Sequence, residues 1–194
     1  LRLWEVCAVR RVPFLYASSA ATYGDGAEGF DDDMAPEHLA RLRPLNLYGW
    51  SKHAFDRRVA QLLARGRPAP PQWAGLKFFN VYGPNEYHKG RMASVVFHKF
   101  EQIRRGDPAT LFRSDRPGIA DGDQRRDFVH VDDITAGTMA APGKTPGTYN
   151  LGTGRGTFEM KYFFTAAIAA TGRAEAHSAE AVRHRIKEMI DAEP

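Results

Sequence analysis

The run Val12-Pro-Phe-Leu-Tyr-Ala-Ser-Ser19 constrains the fold more than any other feature of this chain. It is short, nearly all apolar, and ends in two hydroxyls. That is the pattern of a strand buried on both faces whose C-terminal edge opens onto a site. Such a strand needs helices around it, and the neighbouring sequence supplies them. Leu3, Trp4, Val6 and Cys7 share one face of a helix ahead of the run. Tyr48 to Arg65 carries Phe55, Val59, Leu62 and Leu63 with charge between them, and stops before Gly66 and Pro68. A second strand is expected at Gly75 to Val81, closed by the turn Tyr82-Gly-Pro-Asn85. Alternation of this kind predicts an α/β fold with a parallel sheet.

The rest of the chain continues the alternation less regularly. Ala20 to Pro44 reads as a long polar loop. Met92 to Arg105 is a second helix, with Val95, Val96, Phe100 and Ile103 on one side and Gly106-Asp-Pro at its end. Short strands are expected at Thr110 to Arg113, Asp127 to Val131 and Thr148 to Leu151, with an exposed loop over Ser114 to Gln124. Asp132 or Asp133 caps a helix to about Ala140, and a last helix is predicted from Phe158 to Thr171. Past Gly172 no pattern is readable.

Composition excludes several classes. With 43% hydrophobic and 26% charged residues, disorder, collagen-like repeats and a coiled coil do not fit. No apolar run approaches the roughly 18 to 20 residues of a bilayer span, so no membrane partner is expected. Cys7 is the only cysteine, which rules out an intrachain disulfide or a cysteine metal cluster and suits a reducing compartment; cytoplasm is the expectation. The net charge of +4 and pI near 9.3 suit a phosphate-bearing partner. No block of five or six like charges occurs, so no nucleic-acid partner is expected.

Tyr48-Gly-Trp-Ser-Lys52 opens the first strong helix, and its spacing puts phenol and ammonium on one face, roughly 6 Å apart along the axis. A phenol is a poor base at neutral pH, but a fixed cation and a helix N-terminus both favour the phenolate. Tyr48 could then take a proton from a hydroxyl while hydride leaves the same carbon. An ordinary surface pair is the competing reading of an isolated Tyr-x-x-x-Lys.

The order of motifs goes further. A strand ending in Ser18-Ser19, then Tyr48 and Lys52, then Asn80-Val81-Tyr82-Gly-Pro84, with Tyr23-Gly and Arg126-Asp-Phe-Val-His-Val-Asp-Asp133, resembles the extended short-chain dehydrogenase/reductase enzymes, and among them the nucleotide-sugar epimerases and dehydratases. Phe14 to Gly24, Pro44 to Lys52, Phe79 to Pro84, His88-Lys-Gly90 with Met92-Ala-Ser94, and Asn150-Leu-Gly-Thr-Gly154 are similar to the ADP-glyceromanno-heptose 6-epimerase family. The resemblance covers Val12 to about Thr157, and His88-Lys89-Gly90 separates this family from its relatives.

The resemblance implies an isomerase. Tightly held NADP oxidises an ADP-heptose at C6″ to a ketone and returns the hydride to the other face, in the synthesis of lipopolysaccharide inner-core heptose. Tyr48 and Lys89 match the two acid/base residues, Ser19 the serine that hydrogen-bonds the reacting oxygen, and Lys52 the lysine that tunes Tyr48 and holds the nicotinamide ribose. Val81 sits where backbone meets the cofactor. Asn80, Lys89, Arg91, His98, Phe112, Arg113, Ser114, Asp115 and Arg126 match the substrate region. Competing readings stay open: Lys89 as a solvated loop lysine, Ser19 as a turn cap, Arg126 in a salt bridge to Asp127 or Asp133, and His98 packed among Val95, Phe97 and Phe100.

A departure at each end qualifies the match: at the back, Arg173 to Pro194 does not follow the family pattern and stops before the remaining substrate-domain residues, so the substrate lobe is expected to be truncated at its C-terminus. The family's Gly-x-x-Gly-x-x-Gly phosphate turn does not occur, and Gly152-Thr-Gly-Arg-Gly156 follows a late strand with the wrong spacing. Roughly a hundred residues, two or three βαβ units, are therefore expected ahead of Leu1, and the chain by itself is expected to be inactive. The expected layout is residues 1–85 as the later part of a Rossmann-type cofactor domain and 86–194 mostly as a smaller α/β substrate lobe, with a return near 127–141. A homo-oligomer is expected of the full-length protein. Another nucleotide-sugar epimerase or dehydratase, or a non-catalytic nucleotide-sugar binding remnant, is the alternative.

Overall fold

A computed structural model describes residues 1–107, 110–115, 117–153 and 158–159. These residues fall into two compact units, the first Leu1–Phe79 with Asp133–Gly152, the second Asn80–Asp132 with the described residues from Thr153.

The first unit is built on three parallel strands in the order β1 (Phe14–Ser19), β2 (Trp73–Phe78), β6 (Gly147–Leu151). The register pairs Ser19 with Phe78 and Phe78 with Leu151, so the three strands end together. The central strand β2 is buried on both sides because its side chains alternate between two apolar layers. Trp73 packs with Trp4 of α1 (Arg2–Arg10) and with Val59 and Leu62 of α3 (Leu47–Ala64). Ala74 and Leu76 face the other way, against Ala141 at the end of α5 (Val131–Ala140) and Tyr149 of β6. Trp4 is the residue that ties α1 down; Leu3 and Val6, expected on the same face, are exposed.

The expected loop over Ala20 to Pro44 contains a 3-10 turn, Ala20–Tyr23, and a short helix α2, Pro36–Arg41. Six residues carry too little periodicity to be seen in sequence, yet Leu39 and Leu42 are fully buried with Tyr23 and Ala60.

The second unit holds β3 (Asn80–Tyr82) paired in parallel with β5 (Phe128–His130), and β4 (Arg125–Arg126) antiparallel to β7 (Phe158–Glu159). The strand expected over Gly75 to Val81 is thus two strands in two sheets, broken at Phe79. A 3-10 segment, Tyr87–Met92, precedes α4 (Val95–Arg104), whose N-cap Ser94 accepts the N–H of Phe97. Thr110 to Arg113 is not a strand. Among the described residues it pairs with no strand, and it folds onto its own loop, with Gly122 N–H on Phe112 O at 3.0 Å and Ser114 N–H on Asp121 Oδ1 at 2.6 Å. Phe158 and Glu159 are extended where a helix was predicted; 160–171 lie outside the described residues. Among the described residues no helix is long and apolar enough to cross a membrane.

Candidate active site

In the first unit, the chemistry-bearing residues gather where β1 ends and α3 begins. Asn46 caps α3 by accepting the Gly49 N–H at 2.8 Å, which starts the helix at Leu47 and puts Tyr48 in its first turn. Gly49 is buried: a Cβ there would lie 2.7 Å from Ala21 O and 3.0 Å from Pro44 Cβ. Only a glycine lets the helix start this close to the 3-10 turn that follows Ser19.

Tyr48 is 56% exposed, so its phenol is open to a ligand. Lys52 Nζ lies 5.7 Å from the centre of the Tyr48 ring and donates to Ala17 O at 3.1 Å. The ammonium is therefore held between the Tyr48 ring and the last turn of chain before Ser19. Ser19 is nearly buried, and its Oγ accepts the Ala21 N–H at 3.1 Å. It is a turn cap, as its competing reading had it, and a hydroxyl that accepts still has a proton to donate.

Beneath these groups lies a buried polar cluster that sequence reasoning missed. Ser18 Oγ donates to Asp56 Oδ2 at 2.7 Å, and Lys77 Nζ stands 3.8 Å from the same oxygen, with both charged side chains wholly buried. Lys77 also donates to Thr22 Oγ1 at 3.3 Å and lies 4.2 Å from the centre of the Tyr23 ring. Thr22 in turn donates to Ser19 O at 2.8 Å. Burial pushes Asp56 up and Lys77 down, and each offsets the other by its charge. The signal available in sequence was a lysine inside an apolar strand, Trp73-Ala-Gly-Leu-Lys-Phe78.

In the second unit a cavity of about 820 Å³ collects most of the expected substrate residues. Asn80, Phe112, Arg113, Ser114, Asp115 and Arg126 line it, and so does Val81. Ser94, Val95, Gln124 and Phe128 also line it and were not singled out from sequence. The lining combines two arginines, Arg113 and Arg126, with the apolar Val81, Val95, Phe112 and Phe128. Arg126 donates to Arg125 O at 2.7 Å, while Asn80 Nδ2 donates to Asp127 O at 3.0 Å. The buried Lys99 braces the Phe112 loop through Thr110 Oγ1 at 2.6 Å. Lys89, Arg91 and His98 do not line this cavity. Lys89 and Arg91 are exposed on the 3-10 segment, and the half-buried His98 packs its ring edge-on against Phe97. Among the described residues no cluster of histidine, cysteine and carboxylate could hold a metal ion.

The family described as "NAD dependent epimerase/dehydratase family" matches residues 1–152. The chain belongs to that family. Relatives named ADP-L-glycero-D-manno-heptose-6-epimerase are 44% identical over 191 residues in Fusobacterium nucleatum, covering 97% of this chain and 55% of the relative, and 47% identical over 156 residues in Nitratidesulfovibrio vulgaris, covering 79% and 46%. The chain thus spans about half the length of the curated relatives it matches. A Thermus thermophilus UDP-glucose 4-epimerase, solved with NAD, superposes with TM-score 0.66 at 31% identity, over 87% of this chain and 51% of that one. A Helicobacter pylori ADP-L-glycero-D-manno-heptose-6-epimerase superposes with TM-score 0.60 at 24% identity, over 90% and 48%, and shows the shared fold. A second match, "Sigma-54, DNA binding domain", takes in 147–194, a quarter of the chain and mostly outside the described residues. The Fusobacterium relative aligns through nearly all of the same stretch.

For a dinucleotide-dependent family member, the residues present suit the nicotinamide and ribose end: an exposed phenol, a hydroxyl and a fixed ammonium. Gly24-Asp-Gly-Ala-Glu-Gly29 has the spacing of a phosphate-binding turn, but it follows a 3-10 turn and precedes α2 by several residues, so it does not open a helix.

Proposed function

We propose that the protein containing this chain is a redox epimerase that inverts C6″ of ADP-D-glycero-D-manno-heptose to the L-glycero form, the heptose of lipopolysaccharide inner core. The observation that carries the reading is Lys52, fixed on Ala17 O and 5.7 Å from the exposed Tyr48 ring, in a chain whose relatives at 44% and 47% identity bear that activity in their names.

NADP, when bound, supplies the hydride acceptor and donor. Tyr48 takes the proton of the C6″ hydroxyl on one face as the hydride leaves, beside the Lys52 charge and the positive end of α3. Ser19 hydrogen-bonds the reacting oxygen, and Lys52 also holds the ribose. Lys89 serves as the second proton-transferring group, on the opposite face of the sugar. Asn80, Arg113 and Arg126, with Phe112, Ser114 and Asp115 beside them, bind the nucleotide diphosphate, Arg91 and His98 contact the sugar side, and Val81 meets the cofactor. The first unit serves as the cofactor lobe and the second as the substrate lobe of a cytoplasmic homo-oligomer.

A UDP-hexose 4-epimerase is the second reading, favoured by the 31% identical Thermus structure. A substrate panel on the full gene product separates the two: ADP-heptose turns over and UDP-glucose does not under the first reading, and the reverse supports the second.

A further inference from the structure

Glu86 stands between β3 and the 3-10 segment and is only 4% exposed. Its carboxylate accepts the Gly83 N–H at 3.2 Å and the Ser94 hydroxyl at 2.7 Å on Oε1, and the Ser94 N–H at 2.7 Å on Oε2. Ser94 Oγ accepts the Phe97 N–H at 3.1 Å, so the serine that caps α4 and lines the cavity is held by Glu86. Lys89 Nζ lies 3.6 Å from Oε2, and the Lys89 N–H donates to Glu86 O at 2.9 Å. Just after Lys89 the chain kinks at Gly90, whose φ of +52° is in the left-handed region that favours glycine.

Burial alone would push the Glu86 carboxyl up, but the Ser94 and Gly83 donors and the Lys89 charge outweigh it and hold Glu86 below the usual carboxylate range. An ionised carboxylate held by three donors cannot swing. It therefore offers a fixed point to the one partner that is half-exposed, the Lys89 ammonium.

We infer that Glu86 is a positioning residue: it holds Lys89 in place and ties it, through Ser94, to the wall of the cavity. The inference rests on the proton-transferring role given to Lys89 above. It differs from a surface ion pair, because one partner is buried and immobile, so forming the pair restricts only the lysine side chain.

The test is competitive acetylation of the 194-residue chain with acetic anhydride, read lysine by lysine by mass spectrometry. Lys144, exposed in the first unit, is the reference, and the buried Lys99 reports on the fold of the second. Raising salt to about 1 M, where screening acts over about 3 Å, should increase Lys89 labelling relative to Lys144 about twofold with Lys99 still protected. Glu86→Gln should increase it about threefold. Lys89 labelling that neither salt nor Glu86→Gln changes overturns the inference. If Glu86→Gln exposes Lys99, the salt series on the unaltered chain decides. Labelling needs no turnover, so it can fail while epimerisation stands, or succeed while epimerisation fails. In the full gene product, Glu86→Gln should lower kcat about tenfold with KM nearly unchanged; an equal loss through KM overturns the positioning role.

Discussion

Lys77 places its ammonium 3.8 Å from the Asp56 carboxylate with both side chains fully removed from solvent, directly below the strand end that carries Ser18 and Ser19. Removing one partner strands the other charge in the core. Lys77→Met should destabilise the chain by about 3 to 5 kcal/mol, and Asp56→Leu combined with it should recover a large part of that loss. Urea denaturation of the two single variants and the double variant measures the coupling. Simple additivity would contradict the pairing.

His53, fully buried on α3, is pushed down to about 4 by burial first and then by the Arg57 and Lys77 charges. Its folded value lies below the ordinary 6.5, so the unfolded chain binds more protons between them. Its contribution to stability is complete above about pH 6.5 and is lost as pH falls towards about 4. Unfolding midpoints between pH 7.5 and 4.5 should fall more steeply for the wild type than for His53→Met; parallel curves contradict the assignment.

Gly49 and Gly137 both sit in helices, and substitution should be costly at the first and close to neutral at the second. A Cβ at Gly49 meets backbone at 2.7 Å, so Gly49→Ala should cost about 1 to 3 kcal/mol. At Gly137 the neighbour is the tip of the Leu151 side chain at 3.1 Å, which can yield, so the helix-propensity gain of up to about 1 kcal/mol should offset the crowding. Thermal melts of the two variants check the contrast.

Tyr48→Phe and Lys89→Met should each lower kcat for epimerisation in the full gene product by about 10² to 10⁴. Lys52→Met should raise KM for the cofactor as well, because that lysine is assigned to the ribose. Stopped-assay kinetics separate these effects, and a Tyr48→Phe enzyme of full activity would remove Tyr48 from the chemistry.

The elements with long periodicity were legible from sequence. The helix expected over Tyr48 to Arg65 runs Leu47–Ala64, and the strand expected at Thr148 to Leu151 runs Gly147–Leu151. What sequence missed depends on distant partners. Nothing local in Trp73 to Tyr82 says that Phe79 separates two sheets, because both halves are equally apolar and the break is set by which strand each finds. Asp56 reads locally as a solvated helix residue, and only distant partners, Ser18 thirty-eight positions before it and Lys77 twenty-one after, make it a core group. Glu86 had no motif of its own; its meaning comes from Ser94, reached across the 3-10 segment. The Tyr48–Lys52 pair was readable because helix geometry alone fixes it.

The most direct measurement follows ADP-heptose deuterated at C6″ through the full gene product with NADP, resolving the two C6″ epimers and their label by mass spectrometry. Epimers formed from either starting isomer with deuterium retained are the predicted result. No interconversion, or deuterium lost to solvent, contradicts a mechanism in which one hydride leaves and returns.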